Sequence, residues 1–438
     1  MKLKTLSLCL LFLILSTQIF SQPRREREQF LNHVLLSEIY KIPSGLPGQV
    51  HDSTEQLYYI YKIPYSRLVF EKNDNLYTAS YRLTVEVHDS VTNTIDRKIK
   101  EDKISVADFN ETDDGNIYSE GLLSFQISKF KKYNLLPILY DKNSDRELRL
   151  SKIVVLSENK INNDDDFLEP VVIDSKQIEQ EKRHFFVVSN YEGCIPFSNE
   201  EYNLLIPAVD TSLTKIFITL VNDKDTVFSG YISESVQLKN SIEEFEGKII
   251  LNSRKTSKVF KNFIIPYVNK NLAEGDLKIN ISKNEDSKHI AVFHKRIIWF
   301  NRPISLINPE LSIKLLKYME SDTVIDSLLD FKKKDYTEVL FRFWKRFDPT
   351  PGTSFNELMN EYYSRIDYTI KNFSSISGKR GFDTDRGRIF ILYGKPFKLE
   401  RGSDQFGKVV ETWIYKNPER KFVFIDDTGL GEYKLKNS

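Results

Sequence analysis

A chain of 438 residues is too long for one ordinary hydrophobic core and predicts two or three domains. Hydrophobic residues at 40% and charged residues at 29% exclude a disordered chain, and the 22 Tyr and 30 Phe favour sheet. The net charge of +1 argues against a dedicated nucleic-acid binder, which would carry a basic surplus.

Residues 1–21 read as a secretory signal. Lys2 and Lys4 precede an apolar run from Leu6 to Ile19, and Ser21 is a small residue suited to the position before cleavage, so Gln22 would open the mature chain. The run is shorter than the ~20 residues a spanning helix needs. Cys9 sits early in it and follows Leu8, where a lipoprotein signal wants a small residue. No later stretch is apolar for long enough to cross a bilayer, so no transmembrane segment is expected after cleavage. Removing Lys2 and Lys4 turns an excess of one positive charge into an excess of one negative charge. Cys194 is then alone, which precludes an internal disulfide; beside Ile195 it reads as a small buried hydrophobe.

Residues 22–54 predict an N-terminal arm with a short amphipathic helix, since Phe30, Val34, Leu35 and Ile39 fall at helical spacing. From 55 to 157 the period changes to two. In "YRLTVEV", Tyr81, Leu83, Val85 and Val87 share one face and Arg82, Thr84 and Glu86 the other. Strand-like runs separated by "EKNDN", "ETDDGN" and "DKNSD" predict an antiparallel β-sandwich. Residues 158–170, "ENKINNDDDFLEP", form a charged linker. A second sandwich-like region is expected over 171–303, with a hairpin in which Ile216, Ile218 and Leu220 alternate, "NDKD" turns and Val227 begins the return.

Residues 304–438 predict an α+β unit with four helices and a three-stranded antiparallel meander. Asn308 caps the first helix, Pro309 suits its first position and Glu310 its positive end. Asp322 to Leu329 and Asp335 to Phe347 follow, and Ser354 with Glu357 reads as a capping box for the fourth. The predicted strands are Arg388 to Tyr393, Glu411 to Tyr415 and Phe422 to Asp426. The fold class is thus mainly β and multidomain, two Ig-like sandwich regions followed by an α+β unit.

The densest pattern is "GFDTDRGRIFILYGKP", residues 381–396. Gly381 and Gly387 suit positive φ, and Thr384 and Asp385 suit local bonds to backbone N–H groups. Asp383 and Asp385 lie within ionic reach of Arg386 and Arg388, and Gly394 and Pro396 end the segment. Three readings stay open: a stapled corner leading into a strand, an exposed loop that binds an anionic or sugar-like group through its arginines, and acid–base chemistry by the two aspartates. Gly381-Phe382-Asp383-Thr384-Asp385, with the helical lead-in "FWKRFDPTPGTSFNELMNEYYSRIDY" and the closing runs "ETWIY" and "KFVFIDDTGLGEYKL", resembles the GWxTD domain of bacterial exported proteins. Phe382 stands where the signature has Trp. The resemblance covers about the last hundred residues and implies a domain and a compartment, not a reaction.

Other chemistry is sparse. There is no Gly-x-Ser-x-Gly elbow and no phosphate-cradling Gly-Lys-Ser/Thr loop. His289 and His294 are five apart on a strand-like run and face opposite sides, so no metal site is expected, and no cofactor. "NETDDGN" departs from a calcium loop at Thr112 and Gly121. The sequence therefore predicts an exported, periplasmic or surface protein acting as a non-enzymatic interaction or scaffold module with a protein partner in the envelope. The rival reading is a hydrolase acting on an envelope polymer through Asp383, Asp385 or Glu411. Trp413 is the aromatic candidate beside that set.

Overall fold

The computed structural model describes residues 35–43, 54–89, 94–115, 117–128, 131–156, 166–180, 183–238, 241–252, 260–375 and 378–436. The predicted signal and most of the linker lie outside them. No helix among the described residues is long and apolar enough to cross a membrane. The chain divides into two compact units, one formed by Met1–Pro196 with Glu200–Ile298, the other by Phe197–Asn199 with Trp299–Ser438.

The described residues of the first unit form four sheets. Sheet A is antiparallel, with β1 (Leu36–Pro43), β2 (Thr54–Pro64) and β6 (Tyr118–Ser128) in the order β1-β2-β6. Sheet B holds β3 (Glu71–Asn73), β4 (Leu76–Asp89), β5 (Thr94–Val106), β7 (Lys132–Asp141), β8 (Arg146–Arg149) and β9 (Ile153–Leu156). Sheet C holds β10 (Val171–Gln180), β11 (Arg183–Val188), β13 (Tyr202–Ala208), β16 (Ser235–Leu238), β17 (Ser241–Phe245), β18 (Lys248–Asn252) and β19 (Phe260–Ile265). Sheet D holds β12 (Ile195–Pro196), β14 (Ile216–Asn222), β15 (Asp225–Ile232), β20 (Gly275–Ser282) and β21 (Ala291–Ile298). The hairpin of β14 and β15 has the alternation read from the sequence, with Ile216, Ile218 and Leu220 buried.

β1 corrects an expectation. Leu36–Pro43 pairs with β2 from Leu36↔Lys62 to Pro43↔Glu55, where helical spacing had pointed to the end of a helix. Ile39, Tyr40 and Ile42 are good strand formers, and a ready partner edge overrides a weak 3.6-residue pattern.

Sheet A is a middle layer. Leu57, Tyr59, Tyr61 and Ile63 of β2 pack with Leu83, Val85 and Val87 of β4 and Leu135 and Leu139 of β7. The alternate residue Ile60, with Tyr58 beside it, packs instead with Val171, Ile173 and Phe186 of sheet C. A strand apolar on both faces is what burial between two sheets demands. On the side toward sheet C, Lys62 is a buried charge.

Among its described residues the second unit carries five α-helices: α1 (Pro309–Lys314), α2 (Asp322–Leu329), α3 (Tyr336–Lys345), α4 (Glu357–Phe373) and α5 (Asp385–Tyr393). Sheet E runs β22 (Lys398–Ser403), β23 (Val409–Lys416), β24 (Glu419–Asp426) and β25 (Tyr433–Lys436), antiparallel throughout. Phe197, Trp299 and Phe355 meet edge to face at 5.3 to 5.6 Å. The Asn308 side chain caps α1 by accepting Leu311 N–H at 3.1 Å. α4 is capped by Asn356, which accepts Met359 N–H at 2.8 Å, and not by Ser354. Asn caps at least as well as Ser, and Glu357 is drawn to the Thr350 hydroxyl at 2.7 Å instead of closing a capping box.

The sheet also differs from the expected meander. It has four strands, not three, and Arg388 to Tyr393 belongs to α5. "RIFILY" looks like a strand by composition, but Arg386, Ile389, Phe390 and Tyr393 also fall at i, i+3, i+4 and i+7. That stripe is the one that packs on Phe373, Trp413 and Phe424.

Candidate functional site

The motif corner starts from the cap of α5. Thr384 Oγ1 accepts Gly387 N–H at 3.0 Å and donates to the Gly381 carbonyl at 2.7 Å. A hydroxyl that does both locks the preceding turn to the first turn of the helix. Asp385, the next residue, stands at the positive end of the helix dipole.

The two motif glycines do not have positive φ, contrary to expectation. They are needed for space. A Cβ at Gly387 would lie 1.9 Å from the Gly381 oxygen, and a Cβ at Gly381 would lie 1.6 Å from the Thr369 oxygen of α4. Backbone stacks on backbone twice in succession, and only hydrogen fits between. Gly394 is the left-handed residue, with φ 73°, and it ends α5. Its carbonyl accepts the Tyr415 hydroxyl at 2.8 Å. Pro396 follows in the connection to β22.

The charges pair differently from the expectation that Asp383 and Asp385 answer Arg386 and Arg388. Asp383 meets Lys317 at 2.6 Å and Arg380 at 3.1 Å. Burial alone would raise its pKa, but these cations hold it below the usual carboxylate value. Asp385 Oδ2 accepts the backbone N–H of Leu435 at 2.9 Å. Arg388 is exposed at the surface of α5. Sequence separation explains the difference: the partners Lys317 and Leu435 come from distant segments that no local pattern reveals.

Phe382 is 3% exposed. The Arg380 guanidinium lies 4.5 Å from its ring centroid, the Lys317 ammonium lies 5.9 Å away, and Tyr318 donates to its carbonyl. The ring fills space between two cations, a role for which no indole N–H is required.

Glu411 and Trp413 lie on β23, facing the helices. Glu411 is 1% exposed. Its Oε1 accepts the Trp413 indole N–H at 2.7 Å, its Oε2 accepts Arg401 Nε at 3.1 Å, and Arg386 approaches at 3.7 Å. Arg386 is itself sandwiched, 3.9 Å from the Tyr433 ring centroid and 5.0 Å from that of Phe373. Burial lowers the pKa of its guanidinium, against the pull of Glu411. Trp413 packs among Phe373, Phe390 and Phe424 at 4.9 to 6.2 Å. Sequence reasoning missed Arg401 and Tyr433; the alternation of β22 opposite Glu411 carried the first of these signals.

All three candidate carboxylates therefore have partners. Among the described residues no group of three His, Cys, Asp or Glu side chains is arranged to hold a metal ion.

The chain is mainly β, with several antiparallel sheets, and ends in a unit whose α4 and α5 pack on four-stranded sheet E beside this corner. Residues 284–437 match the GWxTD domain, so the chain carries a GWxTD domain at its C-terminal end. No curated protein matches it in sequence. Solved structures resemble it remotely. The BSP domain of a biofilm-associated protein aligns at 11% identity over 61% of this chain and 52% of that one, with a TM-score of 0.15. A bacterial adhesin from Mobiluncus mulieris aligns at 6% identity over 60% and 93%, with a TM-score of 0.16. The C-terminal domain of the Streptococcus pyogenes antigen I/II-family protein AspA aligns at 8% identity over 60% and 98%, with a TM-score of 0.16. The chain spans about half the length of the first of these. Likeness at this level carries no argument about function.

Proposed function

We propose that this protein is a non-enzymatic interaction or scaffold module of the bacterial cell envelope, exported to the periplasm or the cell surface, with a protein partner there. The observation that carries the reading is a pair of hairpin tips at one end of sheet E. Phe406 in the β22–β23 hairpin is 76% exposed and Leu430 in the β24–β25 hairpin is 58% exposed. The register places both tips at the same end, since Val409 pairs with both Ser403 and Asp426, and Asp426 with Tyr433.

These tips are built rather than loose. Asp404 accepts the N–H groups of Phe406 and Lys408 at 2.8 and 2.9 Å. Asp426 accepts those of Thr428, Gly429 and Gly431 at 2.8 to 3.2 Å. Lys408 and Asp427 join the two hairpins at 2.7 Å. Large apolar side chains held out on ordered turns lose little freedom when a partner covers them.

The rival hydrolase reading weakens because Asp383, Asp385 and Glu411 are each tied to a cation, a backbone amide or an indole. Capture from cross-linked native envelopes tests the proposal, comparing the tagged full chain with a Phe406→Ser/Leu430→Ser variant. A protein recovered with the wild type and lost from an equally stable variant supports it. A partner-free monomer that turns over an envelope polymer overturns it.

A further inference from the structure

Within the first unit, Lys62 is the one lysine of β2 on the face toward sheet C, and it is 7% exposed. Its cross-strand neighbour on β6 is Glu120, whose side chain is 6% exposed. The ammonium lies 3.6 Å from Glu120 Oε1 and donates to the Ser189 carbonyl at 2.7 Å. The Tyr191 and Tyr118 rings wall it at 4.0 and 5.2 Å from their centroids. Lys248 also reaches Glu120 at 3.6 Å. Burial lowers the Lys62 pKa, against the pull of Glu120 and Asp174.

Asn190 follows Ser189. It is 0% exposed, its φ is 54°, and neither the oxygen nor the nitrogen of its carboxamide has a hydrogen-bond partner among the described residues. Buried carboxamides are almost always bonded, so two orphan atoms on one group call for a cause. A trans peptide places the Ser189 oxygen about 2.8 Å from the next Cα, which puts the Lys62 nitrogen within about 5.5 Å of the Asn190 Cα. Rotamer changes of the two side chains span that gap.

We propose that Lys62 and Asn190 are joined by an intramolecular isopeptide bond, with Glu120 as the proton carrier. The proton of the Lys62 ammonium passes to the Glu120 carboxylate, which leaves a neutral amine in a water-poor site. The amine lone pair attacks Asn190 Cγ. The Nζ–Cγ bond forms, Glu120 returns its proton to the departing nitrogen, the Cγ–Nδ2 bond breaks and one ammonia leaves. The second proton of the attacking nitrogen passes through Glu120 to the released ammonia, which departs as ammonium, and Glu120 ends as the carboxylate it began as. No oxidant or cofactor is needed. The product replaces a buried cation and an unbonded carboxamide with one neutral amide, linking sheet A to the end of β11 in sheet C.

Mass spectrometry of the folded full chain, with its N-terminus determined, tests this. The expected wild-type mass is about 17 Da below that of the sequence, one ammonia, and digestion yields a branched peptide joining Lys62 to Asn190. The branched peptide separates this loss from cyclisation of an N-terminal glutamine, which removes the same mass. Asn190→Ala lacks the branch, and Glu120→Ala leaves Lys62 and Asn190 unlinked. Folded wild-type protein from which both residues are recovered in linear peptides overturns the proposal, whether or not the variants fold. A cross-linked Glu120→Ala chain overturns the role of Glu120.

Discussion

Asp385 Oδ2 accepts the backbone N–H of Leu435 at 2.9 Å, so a carboxylate in the first turn of α5 also satisfies an amide of the edge strand β25. An edge strand otherwise presents unpaired amides to any passing strand. One of the three acids that the sequence offered for chemistry therefore pairs an edge-strand amide instead.

Asp385→Ala should release that amide. Hydrogen exchange at Leu435 is expected to accelerate markedly, with about 1–2 kcal/mol lost from the stability of the second unit. Asp385→Asn retains an acceptor and should lose less. Unchanged protection at Leu435 in the alanine variant would show that the bond is incidental.

Gly387→Ala is expected to destabilise by about 1–3 kcal/mol, because its Cβ meets a carbonyl oxygen at 1.9 Å that belongs to the motif's own first glycine. Gly402→Ala is the control. It lies on exposed β22 with nothing within 4 Å of its Cβ, and should stay within about 0.5 kcal/mol of wild type. Urea unfolding of the two variants side by side checks this; equal stability would sink the steric account.

Two carboxylates predict opposite pH effects. The folded pKa of Asp383 is depressed by Lys317 and Arg380, so its contribution is present above the ordinary value of 3.8 and disappears as pH falls through the folded value. Asp383→Asn should remove that acid-labile part, about 0.5–1 kcal/mol for a partly exposed pair. Burial pushes Asp174 in the first unit up to about 6. The folded state then holds that proton more tightly, so its contribution is fully present below 3.8 and is lost as pH rises through about 6. Asp174→Asn should flatten the stability profile between those values. A profile unaltered by either substitution contradicts the assignments.

Much of the architecture was legible because it rests on local periodicity. Tyr81, Leu83, Val85 and Val87 alternate and are buried together, and the Asn308–Pro309 start of α1 is capped as its residue types require. The failures have physical causes. β1 is a strand because β2 offers an edge, a fact no window of sequence contains. "RIFILY" is helical because a cap at Thr384 and a stripe from Arg386 to Tyr393 outweigh β-branched composition. At the corner the residue types suggested ionic pairing, but not the partners. Lys317, Arg401 and Leu435 arrive through tertiary folding, and the tight contact at Gly387 mimics in sequence the signature of a left-handed turn.

Asp383 and Asp385 of the motif corner, and Glu411 on β23 beside it, tie separate segments of the second unit together. Glu411 tests it most directly, since one buried carboxylate satisfies the Trp413 indole and Arg401 and faces Arg386. Equilibrium unfolding of the full chain should show Glu411→Ala destabilised by about 3–5 kcal/mol, with a buried cation and an indole N–H left unpaired, and Glu411→Gln distinctly less. A Glu411→Ala protein as stable as wild type but stripped of a measurable activity would contradict the account.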